Sequence, residues 1–191
     1  MNHPMTRAAA LFGSLLLFFC GFGWYLSMGL WNFPAHSGFQ YLAEDSSFQA
    51  LYSTVPGPHT LSFDFTAPEK LEGQSLYHSS SGAITVTRVD NVTDTACRIW
   101  FRADGNLNRS GGEMVSACLP QLGKTKASTL LSSLLAEPQE VYHAYFSNYD
   151  ADLGTQGNQF AVTVFCEQTP SQQQEVSLVF GDLQMVTFEK V

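Results

Sequence analysis

The chain has 191 residues, with 9 Lys+Arg against 17 Asp+Glu, a formal net charge of −8 and 14% charged residues, against about 25% in ordinary soluble proteins. Such an acidic balance excludes the Lys/Arg-rich surface that neutralises nucleic-acid phosphates and a polybasic patch for anionic lipid. The length fits one modest domain rather than two large ones.

Residues 1–7 form a short tail. From Ala8 to Ala43 there is no Asp, Glu, Lys or Arg, and the most apolar part, Ala10–Trp31, is 22 residues long. At about 1.5 Å per residue a helix of that length covers the roughly 30 Å hydrocarbon layer. Trp24, Tyr25 and Trp31 lie toward its far end, where amphipathic rings favour the interface, and Pro34 stops the helix. Residues 8–34 are therefore expected to form a transmembrane signal-anchor helix, crossing the membrane once. Arg7 precedes it and the next basic residue is Lys70, so the positive-inside bias puts the N-terminus in the cytoplasm and the bulk of the chain in the extracytoplasmic space, the periplasm if the membrane is an inner one. The competing reading is a cleaved signal peptide with Ala35-His36-Ser37 at the cut, but its apolar run usually spans only about 7–15 residues.

Residues 35–58 read as a juxtamembrane linker, in which Tyr41, Leu42, Phe48, Leu51 and Tyr52 suggest a helix over Phe39–Ser53. Residues 59–191 form the exported domain, and its dominant signal is period two. Thr60–Phe65 alternates, with Leu61, Phe63 and Phe65 on one face. Weaker strands fall at Gln74–Ser79 and Glu113–Leu119, and Ser79–Gly82 reads as a hairpin turn into Ala83–Val89. Cys97, Ile99 and Phe101 share a face opposite Arg98, Trp100 and Arg102. Glu140–Ser147, Phe160–Cys166, Val176–Phe180 and Leu183–Val191 alternate likewise, and Gly181-Asp182 reads as a two-residue hairpin turn. Lys126–Ala136 breaks the pattern with Leu130, Leu131, Leu134 and Leu135 at helical spacing, Thr125 as N-cap and Pro138 beyond its end. The expected fold is mainly β: the N-terminal transmembrane helix, then one antiparallel β-barrel or sandwich domain with one packed helix.

Cys20 lies in the apolar segment, leaving Cys97, Cys118 and Cys166 in the exported domain. An oxidising compartment allows one bridge and one thiol, with three pairings open. A symmetric hairpin across Asp104–Gly112 pairs residues whose numbers share one sum. Cys97 with Cys118 and Arg102 with Glu113 both sum to 215. The expected disulfide is therefore Cys97–Cys118; the other reading leaves all three as buried thiols.

No arrangement for catalysis is legible. His3, His36, His59, His78 and His143 are scattered, and there is no HExxH, CxxC, Gly-x-Ser-x-Gly or Walker motif. Asp104-Gly105-Asn106-Leu107-Asn108 starts like an EF-hand loop, but Arg109 stands where Gly is needed and Val115 where the bidentate Glu belongs. Both it and Asp150–Gly154 read as turns. No catalytic residue, metal or cofactor is expected.

In layout, a very short tail, a single span and an exported β domain of this size, the chain resembles the ToxS, VtrC and FidL type of companion protein. The resemblance covers the arrangement of segments and carries no residue across. It implies a membrane-spanning winged-helix regulator as partner and a barrel able to sense a bile-type ligand. The tail Met1–Arg7 has no room for a signalling domain, so a signal is expected to pass through a protein partner. The expected function is a non-enzymatic interaction module. The alternatives are a barrel carrying a small apolar or amphipathic ligand, which eight or so strands can just enclose, and a surface or secretion-system component. The C-terminal hairpin, apolar on both faces, is the expected interface or closing seam: Val176, Leu178, Val179, Phe180, Val186 and Phe188.

Overall fold

A computed structural model describes residues 39–121, 128–147, 158–167 and 175–191. The expected tail 1–7 and signal-anchor helix 8–34 lie outside the described residues, among which no helix is long and apolar enough to cross a membrane. The described chain is mainly β with very little helix.

The compact unit begins at Gly38, so the stretch read as linker contributes to the domain. Helix α1 (Phe39–Glu44) buries Phe39 and Leu42 in the core, and Phe39 meets the Phe188 ring edge-on at 5.5 Å. The helix expected to reach Ser53 stops early. Asp45 accepts the Ser47 N–H at 2.9 Å and its hydroxyl at 2.7 Å, the local bonding that favours turns over helix. Beyond the turn, Phe48, Ala50 and Tyr52 alternate with more exposed neighbours as strand β1 (Phe48–Val55).

The remaining strands are β2 (His59–Asp64), β3 (Ser75–Ser79), β4 (Gly82–Asp90), β5 (Ala96–Gly105), β6 (Gly112–Ser116) and β7 (Cys118–Gln121). There follow β8 (Ser128–Leu131), β9 (Leu134–Glu137), β10 (Tyr142–Phe146), β11 (Gln159–Cys166), β12 (Glu175–Phe180) and β13 (Leu183–Lys190). A 3-10 turn, Pro68–Leu71, joins β2 to β3. The expected hairpin turn at Ser79–Gly82 is present, with Ser79 paired to Gly82. The helix expected over Lys126–Ala136 is instead, where described, the strands β8 and β9. Between them the Ser132 N–H binds the Ala117 carbonyl and its hydroxyl donates to the Asp182 carbonyl. Leucine spacing supports a helix locally; these long-range partners override it.

Five antiparallel strands, in the order β10-β11-β5-β4-β3, form a sheet that curls as a half-barrel. A sheet β2-β12-β9 lies beside it, with β2 against β3 and β9 against β10. A third sheet, β1-β13-β6, and the pair β7-β8 complete the described strands. Large side chains fill the interior. Phe101 stacks on Phe160 with centroids 4.9 Å apart and 8° between planes, and Phe180 and Phe146 close on them at 5.7–5.9 Å. Phe65 packs on Tyr142 at 5.0 Å.

Two expectations about pairing are corrected. Gly181-Asp182 is not a hairpin turn: β12 pairs with β2 and β9, while β13 pairs with β1 and β6. The chain passes from one sheet to another at a corner, and β1 and β2 turn the same corner alongside. Pairing runs Val55–Leu183 on one side and His59–Phe180 on the other, so Pro56, Gly57 and Pro58 oppose only Gly181 and Asp182. The unequal count bends the ribbon as a bulge does.

The Cys97–Cys118 register also fails. Strand β5 pairs with β4 and β11, and β6 pairs with β13. Where the two strands do meet, the Asn106 N–H binds the Glu113 carbonyl, four residues out of the expected register, in which Glu113 would face Arg102. Beyond it, Gly111 and Gly112 take φ of 116° and 134° and turn β6 toward β13. Arg102 pairs with Asp104 at 2.9 Å rather than with Glu113, whose carboxylate accepts the Ser81 hydroxyl. Cys97, Cys118 and Cys166 are all buried thiols.

Candidate interaction surface

Five of the six residues expected as an interface face inward. Val176, Leu178, Phe180, Val186 and Phe188 are buried, and Val179 is half-buried between Thr60 and Leu135. Strand β12 is the centre of one sheet and β13 of another. On the second face of β12, Val179 lies between the exposed residues Thr60 and Leu135, the latter 47% exposed. The expected disulfide residues Cys97 and Cys118 lie on strands in different sheets.

The outer face of the half-barrel has a different chemistry. Strand β5 runs through its middle with Cys97, Ile99, Phe101 and Ala103 turned inward and buried. Arg98, Trp100 and Arg102 occupy the opposite face. Strand β4 adds to that face through a bulge. Ile84 and Val86 sit opposite Ala103 and Phe101, on the inner side, and unbroken alternation would put Arg88 there too. One extra residue, Thr87, shifts the register, so that Arg88 pairs with Trp100 and Asp90 with Arg98. A one-residue slip exchanges faces. Here it carries both charged residues out and leaves Val89 against Ile99.

Direct partners then form a row across four strands: Tyr145, Thr163, Arg98 and Asp90. Beside it Ala161, Trp100 and Arg88 form a second row. The Arg88 guanidinium lies 4.6 Å from the Trp100 ring centroid, and its nitrogen is 3.2 Å from the Asp90 carboxylate. The Trp100 indole N–H donates to the same Asp90 oxygen at 2.9 Å. The other Asp90 oxygen, Arg98 Nε, Thr163 Oγ1 and Ser147 Oγ are buried with no hydrogen-bond partner among the described residues. Tyr145 is 52% exposed, and Phe165 packs between it and His143. The face thus gathers three of the nine basic residues of an acidic chain, interleaved with aromatic rings.

A second surface is acidic. Glu175 pairs with Asp64, and Ser177 with Glu137. An open groove there is lined by Glu137, Pro138, Glu140, Glu175 and Ser177. The Ser177 hydroxyl is engaged by Ser62 at 2.8 Å. Among the described residues no group of three or more His, Cys, Asp or Glu has the placement to hold a metal ion.

The EF-hand-like stretch is a set of turns: Asn106 Oδ1 accepts the Glu113 N–H and Asn108 Oδ1 accepts the Ser110 N–H. Its partner motif at Asp150–Gly154 lies outside the described residues, as do His3 and His36. His59 touches the Tyr77 ring and His143 that of Phe165. The β5 half of the outer face was legible as alternation in the sequence. The β4 half was not, because nothing local marks Thr87 as the inserted residue.

No family model, no curated protein and no solved structure matches the chain.

Proposed function

We propose that the chain is a single-pass membrane protein, N-terminus cytoplasmic, whose extracytoplasmic β domain is a non-enzymatic interaction module and serves as companion to a membrane-bound partner protein. The partner docks on the outer face centred on Arg98 and Trp100. One observation carries this reading: an outer face on which Tyr145, 52% exposed, lies in one row with Arg98, beside Arg88 and Trp100, so that basic and aromatic groups gather on an otherwise acidic chain. Trp, Tyr and Arg are the residue types that dominate binding hot spots. The filled interior favours docking over carriage: the Phe101, Phe160, Phe146 and Phe180 rings occupy the space that a small amphipathic ligand would need.

The test uses the full-length chain in its own membranes. A photo-crosslinking residue replaces Tyr145 in one variant and Leu51, on β1 of another sheet, in a second. A discrete adduct from position 145 that disappears with Arg98→Glu, while circular dichroism is unchanged, is the expected outcome. Adducts from position 51 alone move the interface elsewhere. No adduct from either position, with the protein folded and in the membrane, defeats the reading. Protease added from the extracytoplasmic side should digest the β domain; protection would reverse the topology.

A further inference from the structure

The fold separates the three described cysteines into a pair and an outlier. Cys97 on β5 faces Val164 on β11, and Cys166 is the next residue of β11 on that same buried face. The Cys166 N–H donates to the Thr95 carbonyl at 2.9 Å, and its thiol approaches the same oxygen at 3.7 Å. Cys118 sits on β7 opposite Leu131 in a separate two-stranded sheet. We infer that Cys97 and Cys166 are the residues that join in a disulfide when the chain folds under oxidising conditions, and that Cys118 stays a thiol.

The geometry asks for a small adjustment in a place that allows it. Diagonal neighbours on one face of an antiparallel pair have Cα atoms about 7–8 Å apart, and a disulfide spans about 4.4–6.8 Å. Cys166 is the last residue of β11, and Thr95 precedes the first residue of β5. The movement therefore falls near two strand ends, at the last rung of the β10–β11 ladder, Tyr142 with Cys166, and the second rung of the β5–β11 ladder, Cys97 with Val164. Cys118 has no such neighbour in its ladder, because β7 pairs with β8 and with neither β5 nor β11.

The chemistry balances with a disulfide oxidant, such as oxidised glutathione or an exported dithiol oxidase. One cysteine thiolate attacks the oxidant to give a mixed disulfide and release one reduced thiol. The second cysteine then displaces the other half of the oxidant. Two S–H bonds are lost, one S–S bond forms in the protein, and the oxidant takes up two electrons and two protons. Timing follows from burial, which pushes the Cys97 thiol up to about 12, with Cys166 adding to the rise. The thiolate that attacks is scarce once the face is closed, so the bond forms while β5 and β11 are still assembling.

The test needs neither a partner nor a known compartment. Full-length protein is reduced, unfolded, and refolded in detergent with reduced and oxidised glutathione. Residual thiols are alkylated in denaturant, and the digest is mapped without reductant. The expected result is one cross-linked peptide pair, Cys97 with Cys166, and alkylated Cys118. Cys118→Ala should retain the cross-link, and reductant should lower the Tm of both proteins. A Cys97–Cys118 or Cys118–Cys166 peptide, or complete alkylation of all three in refolded protein, overturns the inference.

Discussion

Gly57 and Gly181 meet backbone to backbone: a Cβ added to Gly57 would lie 2.5 Å from the Gly181 carbonyl oxygen and 2.6 Å from its carbon. This contact holds the corner at which two paired strands leave one sheet and enter another. The Gly57 N–H also donates to the Asp182 carboxylate at 2.9 Å. Gly57→Ala therefore has to push two main chains apart, because the obstacle is backbone. We expect a loss of about 1–3 kcal/mol, the range for overpacking a tight site, read as a lower urea midpoint with unchanged m-value. Gly181→Ala meets the Ser133 hydroxyl, the end of a side chain that can rotate, and should cost less. Equal costs for the two would show that the corner is not held by this approach.

The paired rings of Phe101 and Phe160 form the centre of the core. Both are fully buried and directly opposite across β5 and β11. Phe160→Ala should cost about 3–5 kcal/mol, combining lost transfer energy with an unfilled cavity. Phe160→Leu, which keeps most of the volume, should cost less. Equilibrium unfolding of the two variants in one detergent measures the difference. A cost for Phe160→Ala near that of a surface change would mean that the ring is not enclosed.

What the sequence made legible, and what it did not, follows the range of the forces involved. Strands β2, β5, β11, β12 and β13 were readable because their alternation comes from each strand burying one face, and β4 because it is rich in β-branched residues. Lys126–Ala136 misled because four leucines at helical spacing say nothing about Ala117 and Asp182, the distant carbonyls that bind Ser132. Gly181-Asp182 misled because a corner and a hairpin use the same residues; only the partner strands tell them apart. Cys97 and Cys118 misled because equal number sums presuppose a symmetric hairpin, and the two positive-φ glycines break that symmetry. For the candidate surface, Arg98, Trp100 and Arg102 were visible on one face. Arg88 and Asp90 joined them only through a bulge that no local pattern announces.

Asp90 organises that surface through one carboxylate oxygen, which receives the Trp100 indole and the Arg88 guanidinium. Trp100 is 8% exposed, so removing its acceptor leaves a buried N–H unsatisfied. Asp90→Ala should cost about 1–3 kcal/mol. Arg88→Ala removes a partly exposed cation–π contact and a partly exposed ion pair with Asp90, and should cost about 0.5–1 kcal/mol. Thermal unfolding ranks the two, and Trp fluorescence should shift more with Asp90→Ala. Arg88→Ala proving the costlier would show that the guanidinium, not the carboxylate, sets the indole.

Burial raises the Cys97 thiol from its ordinary 9.0 to about 12. Between those values the unfolded chain has lost this proton while the folded chain still holds it. The folded state then binds more protons, so stability falls as pH rises. The contribution is complete below about pH 9, is lost progressively toward pH 12, and has a slope of at most about 1.4 kcal/mol per pH unit. Tyr142, also raised by burial, adds a loss of the same sign at higher pH. Urea midpoints for the fully reduced protein should therefore decline from pH 9 upward, and Cys97→Ala should decline less steeply. The same burial predicts slow alkylation of Cys97 in the folded, reduced protein at pH 8 and rapid alkylation in urea. Rapid labelling without urea, or identical pH slopes for the protein and Cys97→Ala, would place the Cys97 thiol in contact with solvent and contradict its position on the inner face of β5.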